Sequence, residues 1–145
     1  MRIVLDTTVL VRANENSLGP ARDLLLVIIS KKHDLLLSNE ILYELARVLR
    51  YPRLQRLYRL SEADVYGFVS FLREFAEIVT LDPLVIAPIR DVNDLIVVQT
   101  ALIGNAEILC TTDEDFYDPI ITEFLSKAGV AVMDEIGLAK HLRFS

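Results

Sequence analysis

The chain has 145 residues, 52% of them hydrophobic, and a formal net charge of −6. That length suits one domain, residues 1–145, with its own core and no need of structural metal, and the lone Cys110 excludes an intrachain disulfide or a Cys/His zinc cluster. The longest apolar run, Leu24 to Ile29, is too short to span a bilayer, and Asp6 and Arg12 break the N-terminal segment before a signal peptide can develop, so a cytoplasmic location with no membrane partner is expected.

In chain order, "RIVLD" reads as a strand that ends on a carboxylate. "LGPARDLLLVIISKK" from Leu18 reads as a helix with Pro20 in its first turn, and Asp34 to Ser38 as a second strand. From Asn39, taken as the N-cap, Ile41, Leu42, Leu45, Val48 and Leu49 fall on one helical face until Pro52 stops it. "RLQRLYRL" suits a short helix, and the segment from Ser61 to Glu77 a longer one opened by a serine cap. "IVTLD" resembles a third strand. Asp91 opens a helix that Gly104 and Asn105 close, and "EILC" is a strand running into the acidic turn "TTDEDF". "PIITEFLSKAG" is a helix ending at Gly129, "VAVMD" a last strand and "EIGLAKHL" a short helix.

Strands separated by helices imply parallel pairing, hence an α/β protein: a three-layer α/β/α sandwich with a central parallel sheet of about five strands. In such sheets ligands gather at the carboxyl ends of the strands. Four acids converge on that edge: Asp6 after the first strand, Glu44 on the helix after the second, Asp94 in the first turn of its helix, and Asp113 after the fourth strand. Clustered carboxylates repel one another unless protonated or neutralised by a cation, and oxygen ligands without Cys or His favour Mg2+ or Mn2+. Such a site can polarise a phosphoryl oxygen for attack by water, with the Thr7 or Thr8 hydroxyl orienting the first carboxylate. His33 and His141 stand at segment ends far apart in the chain, where solvated or capping roles fit them better than catalysis.

"VLDTTVL", "YELARVL", "DLIVVQTAL" and "TTDEDF", in this order across nearly the whole chain, resemble the motifs of the PIN-domain ribonucleases, especially the VapC-like toxins of toxin–antitoxin systems. The resemblance implies a Mg2+- or Mn2+-dependent endoribonuclease whose catalytic and metal-ligating residues are Asp6, Glu44, Asp94 and Asp113. Asp115 competes with Asp113 for the fourth position, and Asp91 lies one turn before Asp94. Thr111 precedes the fourth acid, and Thr8 stands where the family more often has Asn or Ser. The implied partners are an RNA substrate, a cognate antitoxin covering the cleft and a second copy in a homodimer.

Each acid taken singly also has an ordinary reading: Asp91 and Asp94 as cap and first-turn acid, Asp113 and Asp115 as turn residues, Glu44 as a solvated helix position. Between Glu44 and Glu62 there is no acid, while Arg47, Arg50, Arg53, Arg56 and Arg59 recur at every third position. Arg47, Arg50 and Arg53 are therefore candidates for RNA phosphate contacts, with Tyr51 and Tyr58 as stacking surfaces; the alternative is a solvated helix face. Haloacid-dehalogenase-like phosphoryl transfer needs an Asp where Thr8 stands, and neither Gly-rich nucleotide motif occurs. The serious alternative is a catalytically weak or inactive PIN-like module that binds RNA or a partner.

Overall fold

Short runs of Leu, Ile and Val bounded by polar residues become strands here because both faces of the sheet are covered, which removes the alternation of a half-exposed strand. Ile3, Val4 and Leu5, Leu35 to Leu37, and Ile108 to Cys110 are all buried. The computed structural model describes residues 1–143. Among them the order is β1 (Arg2–Leu5), α1 (Thr7–Val11), α2 (Pro20–Ser30), β2 (Asp34–Leu37), α3 (Asn39–Leu49), α4 (Pro52–Tyr58), α5 (Glu62–Phe75), β3 (Glu77–Ile78) and α6 (Val92–Ile103). Then follow β4 (Ile108–Cys110), a 3-10 turn at Glu114–Tyr117, α7 (Pro119–Lys127), β5 (Ala131–Met133) and α8 (Glu135–Arg143).

All strand pairs are parallel, in the order β3-β2-β1-β4-β5. Ile3 lies opposite Leu35 on one side and Ile108 on the other, so the register aligns the ends of β1 and β4. The chain builds outward from β1 to β3, then crosses back to lay β4 on the other side of β1. This reversal opens a crevice between β1 and β4 at their carboxyl ends, the general ligand position of open α/β sheets. The expected three-layer α/β/α sandwich with a five-stranded parallel sheet is the fold observed. Among the described residues, no helix is long and apolar enough to cross a membrane.

Most expected elements stand where the periodicity put them, with three differences. Ser38, rather than Asn39, caps α3: its hydroxyl accepts from the Ile41 amide at 3.3 Å, and Asn39 is the first helical residue. The third strand pairs over Glu77 and Ile78 only, because β2 turns into α3 at Ser38 and leaves no ladder partner beyond the Val79 amide, which bonds to Leu37 O. The helix α1, one and a half turns directly after β1, is too short to leave a periodic signature. The Ser61 cap is completed by a reciprocal bond from the Ser61 amide to Asp64, and Asp91 caps α6 as expected.

Candidate active site

Asp6 is 3% exposed, at the point where β1 becomes α1. Its backbone amide stays in the sheet, bonded to Cys110 O at 3.1 Å, while one carboxylate oxygen caps α1 by accepting from the Val9 amide at 3.1 Å. The same oxygen accepts from the Thr8 hydroxyl at 2.6 Å, and the other accepts from the Thr111 hydroxyl across the crevice. Burial pushes the Asp6 pKa up, and the bonds from Thr111, Thr8 and Val9 oppose that shift.

Thr111 ties β1 to the acidic turn, since its hydroxyl also accepts from the Asp113 amide at 3.0 Å. Asp113 in turn accepts from the Asp115 amide at 3.0 Å, starting the 3-10 turn. Across the cleft, Asp91 accepts from the amides of Asn93 and Asp94, at 2.9 and 3.1 Å, and so fixes Asp94 in the first turn of α6. Carboxylate oxygens of Asp94, Asp113 and Asp115 lie within 4.8 Å of one another. The Asp94 pKa is pushed up to about 7, first by burial and then by the negative charges of Asp113, Asp91, Asp115 and Asp6.

A cavity of about 270 Å3 is bordered by Asp6, Glu44, Asp94 and Asp113, together with Asp91, Thr7, Thr8 and Asn93. All four acids of the expected quartet thus face one space. Asp115 lines a wider neighbouring cavity of about 860 Å3, with Asp91, Asp94, Glu114 and Asp118. Glu44 reaches the site from α3 but is held by Arg47 through two bonds of 2.7 and 3.0 Å, and accepts from Asn93 Nδ2 at 3.4 Å. Cys110 is buried beneath the site, where burial pushes its thiol pKa up and removes it as a nucleophile. Neither histidine borders the acid cavity.

The arginine series separates into different environments. Arg47 is engaged by Glu44 and lies over the Tyr51 ring at 5.5 Å, and Arg50 grips Glu62 on α5 with bonds of 2.9 to 3.0 Å. Arg53, beyond the break before α4, has no hydrogen-bond or ion-pair partner among the described residues. A cation that the sequence did not single out stands closer: Arg12 donates to Thr8 O at 3.2 Å and to the Thr112 hydroxyl at 3.1 Å, and pairs with the buried Glu135. Its signal was its position one helical turn after Thr8, hidden because α1 itself was not legible. Asn93 and Thr112 were missed for a different reason, since uncharged polar residues beside acids carry no pattern of their own.

A family model described as "PIN domain" matches residues 2–115. The chain belongs to the PIN-domain family. The resemblance drawn from its four motifs is borne out at that level, and PIN domains are generally nucleases. The match contains Asp6, Glu44, Asp94, Asp113 and Asp115, whereas α7, β5 and α8 of this PIN domain lie beyond it. Among solved structures, the chain is similar to one described as the crystal structure of VapBC2 from Rickettsia felis bound to a DNA fragment from their promoter. The likeness has a TM-score of 0.58 at 16% identity and covers 92% of this chain and 98% of that one, which establishes a shared fold. Among curated proteins no sequence match is found.

The residues of this PIN domain fit a hard divalent cation. Every charged donor facing the cavity is a carboxylate, no thiolate or imidazole competes, and the repulsion that raises the Asp94 pKa is what a bound cation would relieve. Asp94, Asp113 and Asp115 are already close enough to share one ion, with Asp6 and Glu44 on the adjoining walls.

Proposed function

We propose that this PIN domain is a metal-dependent endoribonuclease, the toxin component of a toxin–antitoxin pair. The observation that carries the reading is the cavity at the β1/β4 crevice where Asp6, Glu44, Asp94 and Asp113 meet and where Asp94 titrates near neutral pH. In this reading Asp6, Asp94 and Asp113 hold Mg2+ or Mn2+, with Glu44 and Asp115 completing or flanking the ligand set. When bound, the ion supplies charge neutralisation, polarisation of a phosphoryl oxygen and a more acidic water.

The protein's own part is positional. Three donors aim the Asp6 carboxylate before any ligand arrives, so it can receive a cation without reorganising. Thr111 couples Asp6 to Asp113, keeping the two strand ends at a fixed separation. Asp94 holds a proton below about pH 7 in the metal-free protein and releases it as a cation enters, so ion affinity rises with pH through that value. Thr8 is exposed on the cleft wall, where its hydroxyl, already donating to Asp6, has lone pairs to offer an incoming group.

The test is digestion of total RNA by purified protein with Mg2+, Mn2+ or EDTA, followed by mapping of the cut ends. Metal-dependent cuts at recurrent positions, lost in Asp6→Asn, support the reading; cuts unaffected by EDTA or by Asp6→Asn exclude it. The likeness to the Rickettsia felis VapBC2 complex supports an antitoxin partner for this chain, which we place over the acid cleft; light scattering would test the homodimer. One observation favours a second reading, a catalytically weak module that binds RNA or a partner: Arg47 already occupies the Glu44 carboxylate.

A further inference from the structure

The acid cavity has two flanks of opposite character. Beyond Asp91 and Asp94 the wall carries Glu114, Asp115 and Asp118, opposed by the single cation Arg90. On the other flank, across the shared wall of Thr8, Val11 and Val48, lies a separate cavity of about 340 Å3 between α1 and α4. Its floor is apolar, from Val11, Val48 and the buried Leu54, and its rim carries Arg12, Arg53, Leu57 and Tyr58. A polyanion that passes the carboxylates is repelled along the first flank and attracted along the second.

We propose that this α1/α4 cavity is a nucleotide subsite, taking the unpaired base next to the cleaved phosphodiester while Arg53 holds the adjoining phosphate and Arg12, braced by its pair with Glu135, borders it. The inference rests on the reading of the acid cavity as the site of RNA cleavage. Three features select a nucleotide. The cavity lies at the lower end of the size range of small-ligand pockets, roughly 300–1,000 Å3, enough for one base and its sugar. Its Tyr58 ring and apolar floor suit the flat faces of a base splayed out of a stack. Arg53 is without a partner among the described residues and is therefore free to meet a phosphate, while Arg47 and Arg50 are bound to Glu44 and Glu62. Leu57 is 66% exposed, an apolar side chain on the rim with nothing covering it. Arg12 is braced by Glu135, Thr112 and Thr8 O, so its guanidinium is oriented before RNA arrives.

The experiment measures binding of a short fluorescein-labelled single-stranded oligoribonucleotide containing one mapped cut site. Parent protein, Arg53→Ala, Leu57→Ser and Lys31→Ala are compared, each in an Asp6→Asn background with Mg2+ so that nothing is cut, and thermal melts check folding. Arg53→Ala is expected to weaken binding and lower the log–log salt slope by about 0.7, the value for one lost phosphate contact on a single strand. Replacing the base beside the cut by an abasic position should weaken parent binding roughly five- to 150-fold, the range for one stacked base. Leu57→Ser should be less sensitive to that replacement, because both changes remove the contact between Leu57 and that base. Lys31→Ala, at the far end of α2, should match the parent.

Independent, multiplying effects of Leu57→Ser and base removal, or an unchanged salt slope in Arg53→Ala, overturn the subsite. Unchanged RNA affinity in both variants also overturns it. In those cases the parent still makes metal-dependent cuts. A parent that neither binds nor cuts RNA instead removes the nuclease reading and the subsite with it.

Discussion

Asp94→Asn should make the metal-free protein more stable at alkaline pH while removing its response to divalent cations. In the fold the Asp94 pKa is raised from 3.8 to about 7, so between those values the native state holds a proton that the unfolded chain has released. Stability is therefore highest below the unfolded value and is lost as pH rises through about 7. At 1.36 kcal/mol per pKa unit, a shift of about three units corresponds to ~4 kcal/mol as an upper bound. Asp94 is only partly buried, and solvent screening reduces this to ~1–2 kcal/mol. For a chain of this size that is roughly 3–6 °C in melting temperature. The assay is a set of thermal melts in EDTA from pH 5 to 8.5, repeated with Mn2+. The parent should melt lower at pH 8 than at pH 6 in EDTA, recover with Mn2+, and need less Mn2+ as pH rises. Asp94→Asn should have a flatter pH profile and melt higher than the parent at pH 8 in EDTA. Equal pH dependence in the two proteins, or a lower melting temperature for Asp94→Asn at pH 8, would refute the claim that burial and neighbouring charge raise the pKa of this residue.

Asp6→Asn should fold normally, since an asparagine amide oxygen caps α1 as well as aspartate does, while cleavage of an oligoribonucleotide with Mn2+ disappears; residual cleavage at the parental rate removes Asp6 from the chemistry. Thr111→Val strands one Asp6 oxygen and the Asp113 amide, at a cost of ~1–3 kcal/mol visible as a lower melting temperature, and an unchanged melt would mean that the crevice is not held by this hydroxyl. Arg47→Ala releases Glu44, so the Mn2+ concentration giving half of the thermal stabilisation should fall, whereas an identical midpoint would put Glu44 outside the ion's reach. Gly104→Ala should cost ~1–3 kcal/mol by overpacking, because the added carbon would meet Thr100 O at 2.8 Å and Leu36 Cδ1 at 3.1 Å; a neutral melt shows that this contact yields.

Strand and helix order were legible because the chain repeats one unit in which an apolar run is followed by an amphipathic helix with a recognisable cap. Ser61, Asp91 and Gly129 punctuate the chain as expected. Where reading by pattern fell short, tertiary geometry decided. Gly104 and Asn105 close α6 as expected, Gly104 as its C-cap at φ −78° and Asn105 in the left-handed conformation at φ 54°. Gly104 is required by the close approach of Leu36 and Val79, which no local pattern encodes. The five-residue α1 was illegible for want of length, and with it the role of Arg12. Pro52 breaks the arginine series as expected, but its even spacing concealed that Arg47 and Arg50 are paired while Arg53 has no partner among the described residues.

The opening carboxylate of the chain also has a structural duty, and the two duties are compatible for a physical reason. A helix cap needs an oxygen facing the amides of the first turn, and Asp6 meets that need with one oxygen while Thr111 holds the other. A residue serving only as a cap has no reason to be 3% exposed or to have its second carboxylate oxygen held by a hydroxyl across the crevice. Asp91, which is exposed and bonds only to the amides of Asn93 and Asp94, shows what a simple cap looks like in the same molecule. Asp6 and Asp94 both have raised pKa values, first because they are buried and then because neighbouring carboxylates repel them, so the fold holds these carboxylates together at a cost. Capping bonds and the threonine bridge offset part of that cost in the metal-free protein, and a bound cation would offset the rest. The contrast with Asp91, which borders the same cavity but is exposed and bonded only as a cap, is the physical basis for testing Asp6 and Asp94 before it.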